Sequence, residues 1–140
     1  MDSAEERALL AKAAGYIVVP YRLHGAALEG WDCLGLVRTL RETLFGRPTP
    51  YGVGFYTRQD ADDPDRRGAL FDDGVKAWAP CEAKPGAVLL FSILGRPAHV
   101  GLLLTRRLFI HARDESTGTV IEELRGPWAR RLLGCFDARD

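Results

Sequence analysis

The sequence predicts a single α+β domain, with N-terminal helices packed on a C-terminal antiparallel sheet of about five strands. Three observations carry this. The first half holds runs of apolar residues at helical spacing. The second half holds short branched and aromatic runs separated by turn residues. The change falls at Pro85-Gly86. With 140 residues, 46% hydrophobic and 27% charged, the chain has the size and composition of one soluble globular domain.

The elements follow in chain order. Ser3 precedes Glu6 by three residues, a capping-box pattern opening a helix that runs to about Ala14, with Leu9, Leu10, Ala13 and Ala14 as its apolar stripe. Gly15 stops it, and residues 16–20 read as an extended run into Tyr21. Asp32 reads as the N-cap of the best-defined helix, over 33–45. Leu36, Val37, Leu40, Leu44 and Phe45 recur there at helical spacing, and Gly46 stands at the C-terminal cap position. Proline, glycine and aspartate then dominate residues 46–67, which predicts a long loop of the kind that often carries function. A shorter helix is expected over 69–78. Beyond Pro85-Gly86, strands are expected over 87–91, 98–104, 107–112, 119–124 and 131–136, joined as an antiparallel meander by turns at 95–97, 105–106, 116–118 and 126–127.

Charge and cysteine content narrow the function. Lys plus Arg number 19 and Asp plus Glu 19, so the basic excess of a general nucleic-acid binder is missing. No basic-then-apolar leader pattern opens the chain, and no apolar run approaches about 18 residues, so neither export nor membrane insertion is expected. Cys33, Cys81 and Cys135 form an odd set without CxxC spacing, which fits a reducing compartment.

Cys33 falls in the first turn of the best helix, where the helix dipole and first-turn N–H groups favour a thiolate. Gly30 and Gly35 flank it. The competing reading is a buried, inert thiol. His99 opens one apolar strand and His111 ends the next. A hairpin centred on residue 105 sets them opposite each other on one sheet face, so that one ring can orient the other. A cysteine nucleophile needs such a base and such an orienting group. Two satisfied polar residues at strand ends is the alternative, and a zinc site of Cys33, His99 and His111 is the rival chemistry, lacking metal-type spacing and a fourth ligand.

Several ordered segments resemble one family. They are Pro20-Tyr21-Arg22, Trp31-Asp32-Cys33-Leu34-Gly35-Leu36-Val37, Pro85-Gly86-Ala87-Val88, Ala98-His99-Val100-Gly101-Leu102 and Phe109-Ile110-His111-Ala112. In order and spacing this series resembles the NlpC/P60 cysteine peptidases, closest to the short phage-tail and gene-transfer-agent members. The resemblance implies a papain-like α+β fold, with Cys33 as nucleophile, His99 as base and His111 as the orienting third residue. It also implies that Tyr21 helps hold the oxyanion and that Asp32 reads a free amine of the substrate. Trp31, beside the nucleophile, is a candidate to line the site. The implied reaction is hydrolysis of the γ-D-glutamyl–diaminopimelate bond of peptidoglycan stem peptides, with no metal or cofactor. Leu34 stands where the family often has a serine that contributes to substrate contacts, and Ala87 stands where it often has an aspartate.

A wall hydrolase without a leader or a wall-binding domain is expected to travel on a particle. The expected partners are therefore other tail or baseplate proteins, alongside the stem peptide as substrate. A structural or adaptor tail protein with the same fold is the alternative, as is a thiol amidase or acyltransferase on another substrate. His24 is expected to be solvated, Trp78 and Trp128 to serve packing, and Cys81 and Cys135 to be buried thiols.

Overall fold

The computed structural model describes residues 2–49 and 78–138. Most of the loop expected over 46–67 and of the helix expected over 69–78 therefore lies outside the described residues. Trp78, the last residue of that expected helix, instead opens a strand.

Helix α1 spans Ser3–Ala14, and its N-cap is Asp2, whose side chain accepts the Glu5 N–H at 2.8 Å. The cap thus falls one residue before the expected Ser3. Aspartate caps as well as serine, and its charge also suits the positive end of the helix. Leu9 and Ala13 are buried, whereas Ala14 is exposed. The chain then turns where an extended run was expected, because the N–H groups of Tyr16, Ile17 and Val19 donate back to Ala13, Ala14 and Tyr16.

Strands β1 (Ala26–Ala27) and β2 (Gly30–Trp31) form a small hairpin ahead of helix α2, Cys33–Phe45. Both ends of α2 fall where the sequence places them. Asp32 accepts the Gly35 N–H at 2.9 Å, and Gly46 closes the helix in the left-handed region with φ 63°. Leu36, Val37 and Leu40 are fully buried against the sheet.

Among the described residues, six strands form that sheet: β3 (Trp78–Pro80), β4 (Val88–Ile93), β5 (Arg96–Leu103), β6 (Leu108–Asp114), β7 (Gly118–Glu123) and β8 (Leu132–Ala138). All pairings are antiparallel, in the order β3-β8-β4-β5-β6-β7. Only β4 to β7 make the expected meander. The turn expected at 126–127 is the start of a short helix, α3 (Pro127–Arg131), which returns the chain so that β8 pairs with β4. One apolar layer joins α2 to Val88, Leu90, Val100, Leu102 and Ile110. A second gathers Ala87, Leu89, Phe91, Leu103 and Phe109, with Trp128 and Leu132 packed against it.

The β5–β6 hairpin departs from the expected register. Leu102 pairs with Ile110 and Leu103 with Phe109, so the turn centres one residue later than expected. The cause is the Thr105 hydroxyl, which accepts the N–H groups of Arg107 (3.2 Å) and Leu108 (3.1 Å) and so stabilises a wider turn. Continuing this register sets His111 opposite Gly101, and His99 one diagonal step away. A two-residue displacement keeps both histidines on one face, since side chains alternate with period two.

Candidate active site

The site lies where the starts of α2 and β5 come level. Arg41, in the C-terminal half of α2, donates to the Gly86 carbonyl at 3.4 Å, and the Gly86 N–H donates to Leu103 at the end of β5. The first turn of α2 therefore lies toward the start of β5, where His99 stands. Cys33 is the first residue of α2 and is fully buried; its core cluster includes Val100 and Ala112, whose side chains alternate to the sheet face opposite that of His99 and His111.

The histidines meet directly. His99 Nε2 lies 2.7 Å from His111 Nδ1. The diagonal offset is workable because residue 101 is glycine. A Cβ there would sit 2.9 Å from the Phe109 ring and 3.4 Å from the His111 Cβ, in the space the His111 side chain needs. Phe91, Phe109 and Trp128 wall the pair, with the Trp128 ring 4.8 Å from His111 edge-on and 5.7 Å from His99. Trp128 was expected only to pack. It also lines an open cleft of about 290 Å³ together with Tyr21, Ala98, His99, Arg113 and Asp114.

One member of the constellation escapes sequence reasoning. His111 Nε2 lies 2.6 Å from Glu122 Oε2 on β7. Because His111 pairs with Val120 across β6–β7, Glu122 is its diagonal neighbour on the same face. The available signal was period-two alternation along β7, and it becomes useful only once the register is known. Burial holds the His111 imidazole below its ordinary pKa, against the pull of the Glu122 hydrogen bond and charge. His111 is therefore neutral near pH 7. It donates its Nε2–H to Glu122 and accepts the Nε2–H of His99 at Nδ1, which turns the other nitrogen of His99, Nδ1, to the chemistry.

The remaining expectations divide. Tyr21 lines the cleft beside His99. Trp31 does not: it is fully buried, its ring packs on Tyr16, and its Nε1–H donates to Thr119 Oγ1 at 2.8 Å. Asp32 is 2% exposed, and its two oxygens accept the N–H groups of Gly35 and His24. The structure thus makes it a cap for α2 and a tether to the preceding loop. His24 is exposed, as expected. Cys81 and Cys135 are half-buried, not buried, and desolvation pushes both thiols up from their ordinary pKa. Among the described residues, no three His, Cys, Asp or Glu side chains are grouped to hold a metal ion.

The sequence and the fold resemble those of known proteins. The chain is 31% identical over 115 residues to the murein DD-endopeptidase MepS/murein LD-carboxypeptidase of Escherichia coli K12, covering 81% of this chain and 52% of that one. It thus spans about half the length of that relative. Among solved structures, an NLP/P60 family protein similar to lipoprotein from Staphylococcus aureus superposes with a TM-score of 0.61 at 21% identity, covering 100% of this chain and 43% of that one. The peptidoglycan hydrolase RipB of Mycobacterium tuberculosis superposes at 0.53 with 22% identity, covering 99% and 68%. The profile of the NlpC/P60 family matches residues 18–136, nearly the whole sheet and all of α2, and the chain belongs to that family.

Proposed function

We propose that this domain is a cysteine peptidase that hydrolyses peptide bonds in peptidoglycan. The observation that carries the reading is the 2.7 Å pairing of His99 with His111, with His99 lining an open cleft; Cys33 stands in the first turn of α2, the end of that helix that lies toward the start of β5. The likeness to a murein endopeptidase supports the substrate class. In the proposed reaction the Cys33 thiolate attacks the scissile carbonyl carbon. The Cys33 backbone N–H and the Tyr21 hydroxyl hold the oxyanion. His99 gives the proton on Nδ1 to the leaving amine as the C–N bond breaks, leaving a thioester. It then takes a proton from water, which attacks the thioester and frees Cys33. His111 holds the His99 ring throughout.

The proposed bond is γ-D-glutamyl–diaminopimelate. Digestion of purified peptidoglycan, with fragment masses read by mass spectrometry, tests both enzyme and bond. Wild type is expected to release stem-peptide fragments, and Cys33→Ser to release none while melting within a few degrees of wild type. Retained activity in Cys33→Ser overturns the nucleophile. Fragments ending at another bond overturn the assigned linkage and leave the peptidase. A wild type that releases nothing favours the adaptor reading.

A further inference from the structure

We propose that Glu122 is a fourth, positioning residue of this site: through His111 it fixes which nitrogen of His99 carries the reacting proton, and it stabilises the charged form of that ring. This rests on the peptidase reading above and extends it by one strand. His99, His111 and Glu122 step diagonally across β5, β6 and β7, joined at 2.7 Å and 2.6 Å. Each link has one sense. Carboxylate oxygens only accept, so His111 carries its proton on Nε2. Its Nδ1 is then an acceptor, which requires a proton on Nε2 of His99. Neutral His99 accordingly has its lone pair on Nδ1, the nitrogen that must take the thiol proton. With the carboxylate removed, His111 is free to carry its proton on Nδ1 instead. His99 is then held in the opposite tautomer, and its protonated form meets a second N–H.

The charged groups around Glu122 come from several elements. On β6, Arg113 Nη1 stands 3.5 Å from Glu122 Oε1, and Arg113 Nε stands 3.8 Å from Asp114 Oδ2. His99 lies on β5 and Cys33 on α2. Arg131 of α3 lies over the Trp128 ring, 5.3 Å from its centre. Arg113 tempers the field of Glu122 without cancelling it, since Arg113 is itself shared with Asp114. A carboxylate two hydrogen bonds from the reacting nitrogen still favours the imidazolium of a thiolate–imidazolium pair.

The test is the pH dependence of Cys33 alkylation by iodoacetamide, read on the Cys33 peptide by mass spectrometry. Wild type, Glu122→Gln and Glu122→Leu are compared. Alkylation needs no peptidoglycan, so it reports on the pair whatever the substrate. Glutamine keeps an acceptor for His111 and removes the charge. Losing a negative charge makes every deprotonation of the pair easier. Both steps of the Glu122→Gln profile are expected at lower pH than in wild type, by about one unit. Peptidoglycan turnover by Glu122→Leu, which lacks the acceptor as well, is expected at least tenfold below that of Glu122→Gln. A Glu122→Gln profile that superposes on wild type, or moves to higher pH, overturns the proposal, because a merely structural role lowers stability without moving these steps. If Glu122→Leu turns over as fast as Glu122→Gln, the tautomer argument fails. A wild-type Cys33 that labels no faster than Cys81 at low pH fails the peptidase reading itself, a result distinct from either.

Discussion

His111 must donate from one nitrogen and accept at the other, and it has no solvent to help. A primary amide can do the same, with its N–H toward Glu122 and its oxygen toward His99. Alanine can do neither. His111→Gln is therefore expected to keep most of the activity. His111→Ala should lose about ten- to a hundredfold in kcat/KM, or about 1.4–2.7 kcal/mol of barrier. His99→Gln removes the proposed base and should fall further, by about 10²–10⁴-fold. Hydrolysis of a stem peptide under subsaturating conditions measures all three, and equal losses at 99 and 111 would exchange or merge the assigned roles. At this scale the sequence was partly transparent. Two histidines in adjacent strand-like runs could be set on one face from alternation alone. Their diagonal offset could not, because it depends on a hydroxyl in the turn and on the absence of a side chain at 101. Glu122 was opaque for a plainer reason: a glutamate that follows Val120 and Ile121 at a sheet margin looks like any solvent-facing charge.

Among the elements, α2 carries the nucleophile, and its two ends are held by local chemistry. Asp32 caps the first turn and also holds the His24 N–H at 2.9 Å, which joins the cap to the preceding loop. Asp32→Ala is expected to cost about 1–2 kcal/mol, the upper part of the range for a lost N-cap. At the other end, a Cβ on Gly46 would meet nothing within 4 Å, so Gly46→Ala reports backbone strain alone, about 1 kcal/mol. Urea denaturation of the two variants reads both numbers, and a larger cost at 46 than at 32 would reverse the ranking. These ends were legible because capping involves residues three or four apart. The hairpin of β1 and β2 and the strand β3 were not, since pairs two or three residues long leave no periodicity to count. The turn before β6 was misplaced by one residue because spacing alone does not reveal what Thr105 accepts.

For the whole molecule, the strand order was the least legible property, because nothing near residue 132 in the sequence records that β8 belongs beside β4. The structure pins that strand with charge. Asp137 of β8 binds Arg41 of α2, and also Arg47 at 3.3 Å and Lys84 at 3.0 Å. The Arg41 guanidinium is 2% exposed and lies 5.0 Å from the Trp78 ring of β3. Asp137→Asn leaves that buried cation without its counter-charge and is expected to cost about 3 kcal/mol or more. Replacing both partners with apolar residues of similar volume should cost less. Denaturant titration of the single and double variants checks the order. The position of β8 also bears on how the domain is made. A ribosome emits α2 and the hairpins of β4 to β7 first, and these can assemble from near neighbours. The strand between β3 and β4 comes out last. Until it arrives, β4 offers an open hydrogen-bonding edge and β3 lacks the one partner it has among the described strands. During synthesis, therefore, the sheet cannot close between β3 and β4 before residues 132–138 leave the exit tunnel.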